Sequence, residues 1–128
     1  KNMRAIDTNV LVRLIVQDDE GQEAVSKEFI AYGAWVSKIV LVETAWVLGS
    51  VYKHVPPAIA DAVEMLLSHR NIFIEDAEAV AAALVHYRKR PSLTFSDCLI
   101  LESARKAGHL PLGTFDRGLA KLDGTHKL

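Results

Sequence analysis

The stretch that decides the fold is MRAIDTNVLVRLIV, residues 3–16. Residues 3–6 predict a short buried strand, and the apolar run at 10–16 predicts a helix. The polar tripeptide Asp7-Thr8-Asn9 lies between them as a turn. A strand that passes into a helix through a short turn is the unit from which α/β folds with parallel strands are built.

The same alternation continues to the end of the chain. Short apolar strands separated by helices predict right-handed crossovers, a parallel sheet of four or five strands and helices on both of its faces. The later strands are expected at 34–37, 71–74, 110–114 and 125–128. The later helices are expected at 22–32, 39–52, 56–67, 77–89, 93–107 and 116–122. Gly33 and Gly108 are expected to end the helices before them. We expect one domain over residues 3–128.

Composition limits the classes of function. The chain has 128 residues, 50% of them hydrophobic and 24% charged, which is typical of a globular protein. The formal net charge of −1 excludes a broadly basic chain, so any contact with nucleic acid must come from local patches. The single cysteine, Cys98, excludes an internal disulfide and fits a reducing cytoplasm. Lys1 and Asn2 precede Met3, which we expect to be the native start. We expect a cytoplasmic protein that does not enter a membrane.

Two acids follow predicted strands. Asp7 comes directly after the first strand, and Asp116 comes two residues after the fourth. If those strands are neighbours where the strand order reverses, the two carboxylates face one cleft, which is where α/β sheets bind ligands. The alternative is that each aspartate caps the helix after it. Both interpretations are open at this stage.

Glu43 lies in the middle of a predicted helix. Its neighbours three and four positions away are all apolar: Ile39, Val40, Trp46 and Val47. A carboxylate among apolar side chains has a desolvation cost unless a cation or a hydrogen-bond donor offsets it, and a buried pair with Lys or Arg would also do so. No basic residue stands at those spacings, so the pattern favours a metal ligand.

Asp97 follows Thr94 by three positions, as in a capping box, and this structural interpretation competes with a ligand role.

Gathered carboxylates repel one another, and a hard divalent cation removes that conflict. Mg²⁺ prefers oxygen ligands, takes one or two carboxylates directly and keeps several waters. Such a metal activates a water for phosphoryl chemistry. The five histidines are scattered without zinc spacing, and there is no Gly-rich phosphate loop or G-x-S-x-G motif.

Four stretches resemble the PIN-domain ribonucleases of the VapC toxin type: AIDTNVLV at 5–12, VETAWVL at 42–48, FSDCLI at 95–100 and TFDRGLAKL at 114–122. The resemblance implies a PIN-like α/β/α sandwich with a central parallel sheet. It implies an endoribonuclease that depends on Mg²⁺ or Mn²⁺, forms a homodimer and is inhibited by a VapB-type antitoxin. The family's catalytic and metal-binding acids carry over to Asp7, Glu43, Asp97 and Asp116.

The resemblance also implies supporting residues, namely Thr8, Asn9, Ser96 and Thr114. Asn9 would support Asp7, and the Thr114 hydroxyl would bind a carboxylate or a metal-bound water. Cys98 stands where the family often has alanine, so we interpret it as core. The family further suggests an antitoxin groove formed by the helices at 10–16 and 29–32.

The densest basic run ends the helix before Asp97. Arg88, Lys89 and Arg90 predict a phosphate-binding rim, or equally a favourable charge at a helix C-terminus. Arg117 is a further candidate RNA contact. Trp35 and Trp46 are expected in the core or in a dimer contact, since both lie in apolar runs.

Two alternatives to a ribonuclease remain. One is another metal-dependent phosphohydrolase that acts on small phosphoesters. A haloacid-type phosphatase would require a second aspartate where Asn9 stands. The other is a non-catalytic RNA- or protein-binding PIN-like module, in which the four acids serve only as helix caps and do not converge on one cavity.

Overall fold

The computed structural model describes residues 3–128. The expectation that Met3 is the native start concerns Lys1 and Asn2, which lie outside the described residues. The chain forms two compact units, Lys1–Ala77 and Glu78–Leu128. Each unit is an α/β arrangement with parallel strands. The predicted fold class is therefore confirmed. The expectation of a single domain over 3–128 stays a prediction.

The first unit alternates strands and helices. In chain order its elements are β1 (Arg4–Ala5), α1 (Thr8–Val16), α2 (Glu20–Ile30), β2 (Ala34–Val36), α3 (Lys38–Ser50), α4 (Pro56–Ser68) and β3 (Ile72–Ile74). The three strands form a parallel sheet in the order β1-β2-β3. Their carboxyl ends therefore lie at one edge, which is where Asp7, Ser37 and Glu75 follow the strands.

Helix caps fix where the chain turns away from this sheet. Asp7 caps α1, and the Ser37 hydroxyl caps α3 by accepting a hydrogen bond from the Val40 amide. α1 packs against both α2 and α3. The largest fully buried side chains of this unit form its apolar core: Leu11, Val12, Val36, Leu41, Leu48 and Leu66.

In chain order, the elements of the second unit are α5 (Ala77–Lys89), α6 (Phe95–Ala107), β4 (Leu112–Thr114), a 3₁₀ turn (Leu119–Lys121) and β5 (Thr125–Lys127). β4 and β5 pair in parallel. Thr94 caps the start of α6. Gly108 ends it in the left-handed conformation at φ 84°, as predicted. Its buried residues include Val80, Cys98 and Leu101.

Most predicted bounds differ from the observed ones by no more than two residues, but the predictions for Gly33 and for the last helix were wrong. Gly33 does not cap α2, which ends at Ile30 with Ala31 as its C-cap. Gly33 instead adopts φ 105° in the turn into β2, a conformation that glycine adopts readily. The helix expected at 116–122 is only the 3₁₀ turn Leu119–Lys121. The five predicted strands are all present, three in one sheet and two in the other.

Within residues 3–128, no helix combines the length and the apolar character that a membrane span requires.

Candidate active site

Asp7 lies in an exposed position where the chain leaves β1 and enters α1. Its backbone is extended, with φ −97° and ψ −177°, and its Oδ1 accepts a hydrogen bond of 3.2 Å from the Val10 amide. The capping interpretation is therefore correct. The cap engages Oδ1 and leaves Oδ2 to face another ligand, so capping and metal binding are compatible.

Thr8 connects this turn to Glu43. The Thr8 hydroxyl donates a hydrogen bond to Oε1 of Glu43 on α3. Because Thr8 follows Asp7 directly, the bond places Glu43 at the start of α1. The structure thus holds Glu43 beside the turn that carries Asp7.

The burial argument for Glu43 was wrong. Glu43 is exposed, and its helix neighbours Ile39 and Trp46 are 79% and 66% exposed. The opposite side of α3 enters the core instead, through Leu41, Thr44, Ala45 and Leu48. α3 carries apolar residues all around, so its sequence pattern could not show which face is buried.

The tryptophans were also predicted incorrectly in part. Trp35 is 39% exposed on β2, and Trp46 is exposed on the same face of α3 as Glu43, so neither is a core residue. Their expected part in a dimer contact stays a prediction.

Asn9 is exposed, and residues 3–128 show no hydrogen bond from it to Asp7. Its supporting role also stays a prediction.

Asp97 lies on the first turn of α6. Its amide donates a 3.1 Å hydrogen bond to the Thr94 hydroxyl, as expected for half of a capping box. The reciprocal bond from the Thr94 amide to the Asp97 carboxylate is absent from the described part of the chain. The Ser96 hydroxyl lies 3.0 Å from that of Thr94. The cap therefore uses the backbone of Asp97 and leaves its half-buried carboxylate to other ligands.

Asp116 lies in the exposed turn after β4. Its amide donates to the Thr114 hydroxyl at 3.0 Å, and its Oδ1 accepts from the Leu119 amide at 2.9 Å. Thr114 thus shapes the turn that presents Asp116. Because its hydroxyl oxygen accepts this bond, the hydroxyl proton remains to be donated to a carboxylate or a water, as the resemblance implies.

Gly118 is a site residue that the sequence analysis did not single out. A Cβ at this position would lie 3.2 Å from Asp116 Oδ1 and 3.2 Å from Leu93 Cδ2. Leu93 immediately precedes Thr94, the cap of α6. The Asp116 turn therefore lies against the start of the helix whose first turn carries Asp97. The signal was present in the sequence, because Gly118 is the only glycine of the stretch 114–122.

Two further acids follow β3, in the same relation to the sheet as Asp7. Glu75 accepts a 2.9 Å hydrogen bond from the Lys38 amide, and Asp76 pairs with the Lys38 ammonium at 3.1 Å. Both carboxylates therefore hold the start of α3. Position after a strand was thus not enough to identify a site acid.

The predicted RNA contacts differ in availability. Lys89, Arg90 and Arg117 are exposed. Arg88 is also exposed, but it already has an interaction partner within the chain. The first three are therefore the better candidates for contacts to phosphate.

A groove of about 370 Å³ opens beside Asp7 in the first unit. Its lining is mostly apolar and comes from β1, α1 and α2: Ala5, Ile6, Asp7, Val10, Val25, Ser26 and Phe29. The Arg4 guanidinium lies 3.7 Å from the centre of the Phe29 ring. Val10 and Phe29 belong to the two helical segments that were predicted to form an antitoxin groove.

The donor chemistry fits a hard divalent cation. No group of three or more His, Cys, Asp or Glu side chains placed to hold a metal occurs among residues 3–128. Each unit supplies two carboxylates with neighbouring hydroxyls, and Mg²⁺ takes only one or two carboxylates directly. Cys98 adds no ligand, because it is fully buried and burial raises the pKa of its thiol to about 11.

The PIN domain family model matches residues 5–125, nearly the whole chain and all four acids. The chain belongs to the PIN domain family. Among solved structures, it is similar to the Mycobacterium tuberculosis toxin VapC20, described as cleaving the sarcin-ricin loop. The likeness covers 97% of each chain, with 20% sequence identity and a TM-score of 0.43. No curated protein matches the chain.

Proposed function

We propose that this protein is a metal-dependent endoribonuclease and the toxin of a VapC-type toxin–antitoxin pair. The observation that carries the proposal is the hydrogen bond from Thr8 to Glu43, which holds a second acid against the turn that carries Asp7. Membership of the PIN domain family supports it, because the matched region, residues 5–125, includes the positions of all four acids.

We assign the catalytic and metal-binding roles to Asp7, Glu43, Asp97 and Asp116. Bound Mg²⁺ or Mn²⁺ would supply an activated water and stabilise the charge that develops on the phosphate. Thr8 orients the Glu43 carboxylate. The caps of Asp7 and Asp116 each fix one carboxylate oxygen, so their remaining oxygens are held in position before a ligand arrives.

The substrate assignment rests on local charge. Lys89, Arg90 and Arg117 are exposed cations in a chain whose net charge is −1. RNA binding through these residues would weaken as salt rises, because each phosphate contact releases counterions. Replacing Lys89 and Arg90 together by glutamine should therefore raise KM and flatten its dependence on salt concentration.

The partner assignments rest on exposed apolar surface. The groove beside Asp7 fits a short apolar segment of an antitoxin, with a basic side chain at the end that reaches Asp7. Trp35, which is 39% exposed on β2, suits a contact between two copies in a homodimer. Both partners, and a cytoplasmic location, belong to the proposal.

Cleavage by the purified protein tests the proposal. Structured RNA incubated with protein and Mn²⁺ should be cut, and EDTA should stop the reaction. Asp7→Asn, Glu43→Gln, Asp97→Asn and Asp116→Asn should each lose activity by about a hundredfold or more. Glu28→Gln, an exposed acid on α2, serves as the matched control and should cut normally. Hydrolysis of p-nitrophenyl phosphate without RNA cleavage would instead identify a phosphomonoesterase.

A further inference from the structure

Glu102 is a buried carboxylate in α6 that the proposed chemistry does not use. Its side chain is 7% exposed. It accepts a 2.7 Å hydrogen bond from His86 Nε2 and contacts Arg105 Nε at 3.2 and 3.3 Å. A buried carboxylate requires such partners, so His86 and Arg105 together hold Glu102 in place. Glu102 in turn fixes the position of the Arg105 guanidinium.

The other end of the Arg105 guanidinium holds the chain after the 3₁₀ turn. Its Nη2 donates a 2.7 Å hydrogen bond to the Asp123 carbonyl. The next residue is Gly124, with φ 94°, where a Cβ would lie only 2.9 Å from the same nitrogen. The guanidinium therefore lies directly against the backbone of this turn.

The segment 116–125 is folded tightly on itself. Its start is closed by the bond from the Leu119 amide to Asp116 Oδ1. Its end is closed by the Thr125 hydroxyl, which donates to the carbonyls of Ala120 and Leu122 at 3.1 and 2.7 Å. A movement at one end of so short a segment is therefore passed to the other.

This segment is attached to α6 at two places. Gly118 lies against Leu93, just before the helix begins, and Asp123 is bound by Arg105 near the helix end. At 1.5 Å per residue, the helix rises about 17 Å between Thr94 and Arg105. Two attachments so far apart fix the orientation of a segment, whereas one would leave it free to pivot.

We propose that Arg105, held by Glu102 and His86, is a positioning residue that fixes the Asp116 turn relative to Asp97. The consequence for metal binding rests on the proposed function, whereas the consequence for the order of segment 116–125 does not. The network is a feature of this chain's own residues and lies apart from the four acids.

Amide hydrogen exchange and Mn²⁺ binding test the inference separately. In Arg105→Gln, the Leu119 amide should exchange about tenfold faster, as expected when a hydrogen bond to a charged group is lost. Mn²⁺, followed by the relaxation of water protons, should half-saturate at a concentration at least threefold higher. Glu102→Gln loosens Arg105 without removing it and should give a smaller change in the same direction. If Arg105→Gln does not fold, the result with Glu102→Gln decides whether the network positions the Asp116 turn.

Leu84→Ala is the control for a loss of stability alone, since Leu84 is buried in the second unit outside the network. Each variant is measured at the same number of degrees below its own Tm. Under these conditions Leu84→Ala should show the Leu119 exchange rate and the Mn²⁺ affinity of the wild type. Unchanged Leu119 exchange in Arg105→Gln and Glu102→Gln, or an equal change in Leu84→Ala, would overturn the inference. If the wild type neither binds Mn²⁺ nor cuts RNA, the proposed function fails while the exchange result still decides the role of Arg105.

Discussion

The Thr8 hydroxyl donates a hydrogen bond to Oε1 of Glu43, although the two residues are 35 positions apart in the chain. The bond links the first turn of α1 to the middle of α3. Asp7 adjoins Thr8 in the chain, so this contact between two helices holds Glu43 beside the turn that carries Asp7. In the proposed enzyme, Thr8 sets the direction in which Glu43 points.

Replacing Thr8 tests this link. Thr8→Val keeps the shape of the side chain and removes the donor, so the Glu43 carboxylate loses its fixed orientation. We expect RNA cleavage to fall about tenfold, in line with the loss of a hydrogen bond to a charged group. Thr8→Ser keeps the hydroxyl and should retain most of the activity. Equal activity of the valine and serine variants would show that the bond has no functional role.

Gly118 tests the packing of the Asp116 turn. In Gly118→Ala the new Cβ would press on the Asp116 carboxylate and on Leu93, each at 3.2 Å. The carboxylate is the softer neighbour, so it should rotate away from the Leu119 amide. Cleavage should drop at least about tenfold, with a loss of stability of about 1 kcal/mol.

Gly113→Ala is the matched control for Gly118→Ala. The atoms nearest to a Cβ at Gly113 would belong to Leu128, at ordinary contact distances of 3.6 to 3.9 Å. This variant should cut RNA at the wild-type rate. If both alanine variants lose activity equally, close packing at Gly118 is not the cause.

The class of the fold was predictable because its signals are local. The chain passes from apolar strand to capped helix several times, and α5 was predicted at its observed bounds, Ala77–Lys89. The end of α2 and the length of the last turn were predicted less well. Gly33 resembles a C-cap in sequence, and only the backbone shows that it serves the turn into β2 instead.

The candidate site was predictable in its residues but not in its contacts. Asp7 and Asp116 stand out because they follow strands, whereas Glu43 was selected for a burial that it does not have. Its true partner, Thr8, is distant in sequence and is brought near by the packing of α1 on α3. Gly118 and Arg105 were missed for the same reason, since their contacts arise only when α6 and the last turn pack together.

Cys98 should behave as a core residue. It is fully buried, and the pKa of its thiol is raised to about 11, first by burial and then by Asp97 and Glu102. At pH 8 the native protein should react with Ellman's reagent much more slowly than the urea-unfolded protein. Similar rates in the two states would show that the thiol is accessible.

The same pKa shift predicts an alkaline effect on stability. Because the native pKa of the Cys98 thiol is raised, its contribution to stability is fully present below pH 9, the pKa of the thiol in the unfolded chain. That contribution is lost as the pH rises toward 11. The wild type should exceed Cys98→Ala in unfolding free energy by about 1 kcal/mol at pH 7, because alanine leaves a small cavity. That difference should shrink between pH 9 and 11. A difference that is constant over this range would contradict the shift.

Metal binding should stabilise the folded chain. A ligand that binds only the native state raises Tm, and Mn²⁺ at about ten times its Kd should add roughly 1.4 kcal/mol, or a few degrees. Asp97→Asn and Asp116→Asn should each lose most of this rise, while Glu28→Gln should keep it. A rise of the same size in the two asparagine variants would place the metal elsewhere.

The most direct test of the central claim is to map new RNA ends in cells after the protein is induced. The wild type should arrest growth and produce new ends at a defined set of sites in structured RNA. Asp7→Asn, expressed to the same level, should produce neither the arrest nor the ends. Identical ends from both proteins, or no new ends from the wild type, would contradict the assignment of a metal-dependent endoribonuclease that uses Asp7.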